Sequence, residues 1–429
     1  MTRPLAVALL AIFTAAPLAH RSLGEVAASV EVRMIEVVGE GAKYWPRWRG
    51  PSGQGDAAAG PYTETWTAKS GVWKTTVPGR GNSSPIVWGD RIFLTTGYGN
   101  GERLSMLAFS RADGKQLWET FIPQSGVEYV HPKNGFASAT PTTDGKLIYA
   151  SFGRHGLFAF DFNGKLVWQH KFGIIDNQHG PAGSPVLYKD RIFIYQDANP
   201  APGQSAFVGA FDKATGKPIW QTPRGETVGW GSAIVITTGA RDELIVSSQR
   251  RVAAYDPLTG KELWTARGMN FEVIPTPVVG HGLVFASSGR AGPTMAIRPG
   301  GSGDVTNTHV AWTSPRGSPF VPSGIVVGDL LYLINDMQSI LTVYEAATGK
   351  LVYQDRLGVA IREGFSASPV HVNGKIFLTN DDGQTFVVEA GRQFKLLRTN
   401  ELGEQTLASP ALVDGTWYWR TANSLRAIR

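Results

Sequence analysis

Eleven side chains able to do polar chemistry sit in two sets of irregular segments between apolar runs. Arg80, Asn82, His131, His179, Trp230, Glu272, Arg316 and Glu363 lie in stretches that lead up to a small-residue step such as Ser84-Pro85 or Thr140-Pro141. His155, Arg290 and Asp381 lie in the second set. Cations, imidazoles, amides and carboxylates brought together from separate segments suit an anionic or peptide-like ligand better than an apolar one. Catalytic constellations are weak. The eight histidines show no His-Glu-x-x-His spacing, and the chain has no hand-type calcium loop and no Gly-rich phosphate loop. No residue is therefore assigned to catalysis or to a metal. Asn335-Asp336 and Asn380-Asp381-Asp382 carry the oxygens that calcium takes, yet they read first as turn formers, because Asn and Asp bond back to their own backbone. The stretch Trp45 to Gly55, with two Trp, two Arg and three Gly, is too dense for a linker. It is expected to pack against the edge of the fold, with a direct ligand role as the other reading.

The elements that must position these residues are set by a repeat. A phrase recurs at intervals of about 41 to 56 residues, as Ala-Phe-Asp-Phe-Asn-Gly-Lys-Leu-Val-Trp at Ala159 to Trp168, and again at Ala210 to Trp220 and Ala254 to Trp264. Looser copies run from Ala108 to Trp118 and from Val343 to Tyr353. A second phrase, a small residue followed by an alternating apolar run, starts at Ser84, Thr140, Ser184 and Ser232 and again at Thr276, Ser323, Ser368 and Ser409. That makes eight units. Each reads as four short strands, because apolar residues alternate over runs of about five to seven between Gly, Asp and Asn turns. In the second unit the strands are expected at Ser138 to Thr142, Leu147 to Ser151, Leu157 to Asp161 and Leu166 to His170.

Four-stranded units at this period predict an all-β, eight-bladed β-propeller rather than a helical solenoid. The eighth unit stops at Ile428 without a fourth strand, and Ser70 to Thr75 looks like a spare one. The N-terminal strand is therefore expected to complete the last blade and close the ring, since an open ring would expose strand edges. Trp73, Trp118, Trp168, Trp220, Trp264 and Trp312 follow the turn of the phrase and are expected to pack between blades. Alternate loops of a propeller emerge on opposite faces, so the loops that carry the eleven polar residues share one face, at the mouth of the central channel.

Met1-Thr2-Arg3 followed by a mainly apolar run from Pro4 to Ala19 has the form of a secretory signal, and the run is too short for the roughly 20 residues of a membrane span. The expected organisation is a signal over 1–28, an N-terminal extension over 29–69 and the propeller over 70–429. With no cysteine there is no disulfide, thiolate metal site, c-type haem attachment or lipidated Cys. A net charge of +6 without a basic run is a solvated surface rather than a nucleic-acid footprint.

The phrase Ala-Phe-Asp-x-x-Thr-Gly-Lys-x-x-Trp resembles the pyrroloquinoline-quinone-like β-propeller repeat over about residues 70 to 429, and Trp45 to Gly55 with Pro78 to Pro85 looks like the entry segment of secreted bacterial proteins of that group. The resemblance implies two different jobs. Some members are quinoprotein dehydrogenases, and others, such as the propeller lipoprotein of the outer-membrane β-barrel assembly machinery, are binding scaffolds. The dehydrogenases commonly carry an adjacent-cysteine disulfide, and the lipoprotein carries a lipidated Cys; this chain has neither. The reading is an exported, periplasmic or secreted, monomeric binding scaffold without a cofactor, which takes a cell-envelope protein or peptide or a small anionic ligand. The alternative is a dehydrogenase dependent on pyrroloquinoline quinone and calcium.

Overall fold

Short apolar runs separated by tight turns form strands that pair with their sequence neighbours, and here they do so eight times in succession. The computed structural model describes residues 32–124, 126–173, 175, 177–199, 206–290, 292–315, 317–359 and 364–429. The expected signal over 1–28 and the candidate residues Arg316 and Glu363 lie outside the described residues. The strands form eight sheets around a central channel, antiparallel but for one added strand, numbered here as blades 1 to 8 in chain order. The protein is an all-β eight-bladed propeller.

In blade 2 the strands are Thr142–Thr143, Leu147–Ser151, Leu157–Asp161 and Leu166–His170. The second to fourth match the expected bounds. The innermost is shorter than the expected Ser138 to Thr142, because Ser138 to Pro141 run along the channel, where backbone groups bond to side chains of the next blade instead of to a second strand. The middle two strands are buried on both faces, since each blade is covered by a neighbour on either side, while the outermost strand alternates. The core is accordingly a series of interblade clusters. One joins Ile86, Phe93 and Met106 of blade 1 to Ile148 and Phe158 of blade 2. Each fully buried side chain of this size contributes about 1.5–3 kcal/mol.

Closure follows the expectation. Trp73–Thr76 pairs with Ser424–Ile428, so the N-terminal strand is the outermost strand of blade 8. Blade 4 departs from four strands. Arg33–Met34 adds inside it against Ile236 and Thr237, and Gly303–Asp304 adds outside it, parallel to Trp264 and Thr265.

The repeat phrase works across blades. Trp118 of blade 1 lies against Gly164 in the turn of blade 2, and Trp73, Trp168, Trp220 and Trp312 meet Gly114, Gly216, Gly260 and Gly349 in the same way. An added Cβ on any of these glycines would come within 3 Å of the indole, and each has positive φ. The indole N–H donates to a carbonyl of that turn, at 2.8 Å for Trp118 to Phe162. The phrase's Asp closes the turn by accepting backbone N–H groups, as Asp161 does from Asn163 and Lys165. Trp264 is the exception: its N–H goes to Glu243 of its own blade at 2.8 Å, because the added strand Gly303–Asp304 covers the place where the next turn would sit.

The segment from Trp45 to Gly55 does not lie against the propeller edge. It crosses the end of the channel opposite the mouth and supplies partners to the inner strands, whose inward edges would otherwise be unpaired. Trp45 exchanges backbone bonds with Val87 of blade 1, and Pro46 O accepts from Thr143 N of blade 2. Gln54 Oε1 accepts from Val279 N of blade 5, and Gly55 O from His371 N of blade 7. Arg47 holds the turn together through Ile35 O at 2.9 Å and Pro51 O at 2.7 Å.

Candidate functional site

The small residue that opens each unit places a hydroxyl on the channel. Ser84 N donates to the Thr140 hydroxyl, Thr140 N to Ser184 and Ser184 N to Ser232. The chain of bonds continues from Ser232 N to Thr276, Thr276 N to Ser323 and Ser323 N to Ser368. Ser368 N donates to Ser409, and Ser409 N returns to Ser84. The eight bonds, 2.7 to 3.0 Å long, form a closed circle that links every blade to the next. Each hydroxyl accepts one N–H and keeps its own hydrogen, which meets no acceptor among the described residues; a hydroxyl is one donor and two acceptors.

All eight hydroxyl residues line a central cavity of about 240 Å³. Trp48 forms its floor and also lines a smaller space below with Met34 and Pro185, so the N-terminal segment makes the channel blind. Two residues before each hydroxyl, on the mouth side, a second layer faces the axis. It is polar at Asn82, Ser138 and Ser366, and apolar at Ala182, Trp230, Ile274, Val321 and Leu407.

Above these layers lie His131, Lys133, His179 and Arg290. His179 stacks on Trp230, with ring centroids 5.3 Å apart, and meets His131 edge-on at 5.2 Å. Asn177 orients that pair by accepting from the Trp230 indole at 2.7 Å and from His179 N at 3.2 Å. Glu272 is buried between His179, at 3.5 Å, and Arg290, with which it forms an ion pair. Both Glu272 and Arg290 hold positive φ, 58° and 46°, a costly backbone for residues with side chains and one that gathers at functional sites. The Arg290 guanidinium lies over Phe320 at 5.4 Å. Lys133 reaches from the segment before blade 2 to Asp381 of blade 7 at 3.0 Å, and Asn82 and Asn134 pin its loop through backbone carbonyls. Burial raises the Asp381 carboxyl, and Lys133 opposes the shift.

Asn82, His131, His179, Trp230 and Arg290 thus line one cavity, with Glu272 and Asp381 paired to its cations. Arg80 is exposed and away from the cavity, its backbone bridged to Gly97. His155 is buried behind blade 2, outside the cavity, and burial lowers its pKa. Trp48, Lys133, Asn134 and the hydroxyl circle join the site without having been assigned to it from the sequence. The recurrence of Ser or Thr at every unit start was the available signal for the circle.

The electrostatics are one-sided. No carboxylate lines the cavity among the described residues. Beneath the floor, Arg49 is buried with Nε and Nη1 unpartnered, 5.8 Å from the Trp48 ring, and burial alone pulls it down to about 9. Behind Ser84, Arg420 is buried and also pulled down to about 9; it donates to Ser83 O, Ser83 Oγ and Thr95 O, with no acid beside it among the described residues. A buried cation without a carboxylate is costly unless something supplies negative charge.

Calcium asks for about six to eight oxygens, carboxylates foremost. Glu272 and Asp381 already carry cations, and no group of three or more His, Asp or Glu among the described residues could hold a metal. Asn380 gives one oxygen to Gln384 N at 2.8 Å, as a turn former does, whereas Asp336 accepts from Phe320 N, sixteen residues back, at 2.7 Å and so ties two segments together instead of closing its own turn. The donor set does not fit a quinone-bound calcium, and no step is routed through one.

The family model described as outer membrane protein assembly factor BamB matches residues 65–201 and 204–290, more than half of the chain. The chain belongs to that family. Over 396 residues it is 22% identical to the tetrathionate hydrolase of Acidithiobacillus ferrooxidans, which covers 84% of this chain and 68% of the relative. It is 27% identical over 208 residues to the outer membrane protein assembly factor BamB of Burkholderia pseudomallei, covering 45% of this chain and less than half, 46%, of that protein. The quinohemoprotein alcohol dehydrogenase structure of Comamonas testosteroni matches with a TM-score of 0.64 at 12% identity, over 90% of this chain and 80% of that one, a likeness of fold.

Proposed function

We propose that this propeller is an exported binding protein that takes a small anionic ligand into its blind central cavity, without catalysis of its own. The observation that carries the reading is the circle of eight hydroxyls in a cavity that Lys133 and Arg290 line and no described carboxylate does, with two further buried guanidinium groups, Arg49 beside Trp48 and Arg420 behind Ser84, just outside its lining. An anion on the axis would take up the hydroxyl hydrogens and sit in the positive field of the cations around the cavity. A closed floor favours a small molecule, or the acidic end of a peptide, over a protein threaded through the ring. Export is supported by the signal-like start, and the described residues contain no helix long and apolar enough to cross a membrane. The relative named tetrathionate hydrolase bears a name that refers to a small sulfur oxyanion, in keeping with an anionic ligand here.

Titration calorimetry of the full chain with tetrathionate, sulfate and short carboxylates tests the reading, with tetramethylammonium as the cationic control. Saturable binding of at least one anion and none of the cation is expected. Failure of every anion to bind, or equal binding of the cation, overturns it. Tetrathionate that is consumed rather than recovered intact would replace the binding reading with a hydrolytic one, for which His179, held by Glu272 at the mouth, is the first candidate acid or base.

A further inference from the structure

The loop that joins blade 1 to blade 2 reaches well beyond the two blades it joins. Its residues 126–135 leave and rejoin the propeller at one turn of blade 1, where Gln124 Nε2 donates to Gly101 O at 2.8 Å and the Phe136 ring lies against Gly101. A loop whose ends meet in this way can move as one piece. Gly126 and Gly135 stand just inside the two anchors, at φ 78° and 81°, and a Cβ added to either would have no neighbour closer than 3.7 Å. Both positions have the room and the backbone freedom of a hinge.

The mouth-side layer of the channel wall divides at this loop. Over blades 3 to 6 it is apolar, at Ala182, Trp230, Ile274 and Val321. Its polar members serve the loop instead. Asn82 of blade 1 donates to Lys133 O at 2.9 Å and to Asn134 O, and Ser138 of blade 2 also donates to Asn134 O. Ser366 of blade 7 donates to the Asp381 carboxylate, which takes Lys133 Nζ at 3.0 Å. Lys133 thus runs as a chord from the loop to blade 7, on the side of the cavity where blade 8 places Ser409. The seat is polar elsewhere too, since Asn134 Nδ2 donates to His179 O at 2.7 Å and Gly180 O at 3.0 Å. Two apolar side chains of the loop, Val127 and Tyr129, face outward, 49% and 67% exposed. A segment held by hydrogen bonds and an ion pair rather than by buried apolar surface opens at low cost. When Lys133 leaves, Asp381 keeps the Ser366 hydroxyl at 3.2 Å.

We propose that residues 126–135 are a lid over the central cavity, hinged at Gly126 and Gly135 and latched across the mouth by Lys133 on Asp381, which must lift for a bulky ligand to reach the hydroxyl circle. Such a lid gates the cavity whatever ligand it takes, so its test needs no anion.

The chain has no cysteine, and Ser409→Cys therefore places a single thiol on the cavity wall below the chord. Its modification by two neutral reagents, methyl and benzyl methanethiosulfonate, is timed on the full chain, with both rates normalised to those on free cysteine. The ratio of the two cancels any change in thiol acidity. With the latch intact, the methyl reagent should be favoured at least tenfold. Lys133→Met or Asp381→Asn, added to Ser409→Cys, should lower that preference at least fivefold. Both replacements nearly keep side-chain size, so a lower preference reports release of the loop and not a wider hole. Lys217→Glu, on the opposite face, should leave it unchanged. A preference unaltered by the latch substitutions makes the loop a fixed part of the wall and overturns the lid. No preference in Ser409→Cys alone also overturns it, because the mouth is then already open. If Lys133→Met fails to fold, as judged by its circular dichroism, Asp381→Asn decides alone.

Discussion

The rim of this propeller repeats one contact, and its mouth repeats none. At the rim, five indoles sit on five turn glycines of the next blade, and each N–H caps a carbonyl there. At the mouth, eight loops of unequal length supply a stacked His179 and Trp230, an ion pair on strained backbone and a lysine that reaches across the opening. The rim gains from uniformity, because every interface must bury the same surface at the same angle for the ring to close. The mouth gains from asymmetry, since a ligand without eightfold symmetry is held only by unlike groups. Between the two lies the hydroxyl circle, as uniform as the rim yet open to the cavity.

The strongest way to break the comparison is to remove what closes the ring. Deleting residues 29–77 takes away the outermost strand of blade 8 and the segment that pairs with the inner strands. Aggregation or loss of a cooperative urea transition is expected; a soluble and equally stable product would show that closure does not depend on this strand. Trp118→Ala should cost about 3–5 kcal/mol, read as a lower urea midpoint, because it empties an interblade contact and removes one of the two donors, Trp118 and Arg91, to the Phe162 carbonyl. The same substitution at Trp48, on the cavity floor, should cost far less stability and act on ligand binding instead.

Asp336 sharpens the contrast on the mouth side. It is buried, accepts from Phe320 N and has Oδ2 unpartnered, and burial pushes its carboxyl up to about 7. A carboxyl raised in the folded state keeps a proton that the unfolded chain has lost, so stability is greatest below the unfolded value near 4 and falls as pH rises toward about 7. Asp336→Asn should remove this slope, gaining on the order of 2–4 kcal/mol at pH 8 and little at pH 4. Urea midpoints from pH 4 to 8 measure it, and an unchanged slope would show that the carboxyl is not protonated in the fold.

Arg49→Met has a smaller effect and opposite signs in two measurements. Replacing a buried cation that lacks a carboxylate by an apolar side chain should leave stability unchanged or raise it by about 1 kcal/mol, while sulfate or dicarboxylate affinity falls severalfold. Loss of stability with unchanged affinity would assign Arg49 to packing. Smallest of all, Lys217→Glu and Lys261→Glu, in the tight turns of the opposite face, should change neither quantity beyond error.

The blade count, the strand order and the closure of the ring could be read from the chain, because each is a local pattern repeated: an alternating run, an Asp-x-x-Thr-Gly turn, a Trp after it, a strand missing at one end and spare at the other. The face that carries the site was legible for the same reason, since alternation of loops follows from strand order. Position around and along the channel was not. Arg80 and Asn82 are two residues apart, a spacing that would put both on one side of an extended chain, yet Asn82 faces the cavity and Arg80 is exposed, because the backbone at Arg80 is bridged to Gly97 instead of running along the channel. His155 sits in the right set of loops but is buried behind its blade. The Ser and Thr that open each unit were visible as punctuation, and only their closure through eight hydrogen bonds makes them a donor surface. Trp48 shows the limit most plainly. Its segment carries no repeat and precedes the propeller, so nothing local says that it closes the channel. That was decided by the unpaired inner strand edges of blades 1, 2, 5 and 7, distant in sequence, which take their missing hydrogen-bond partners from it.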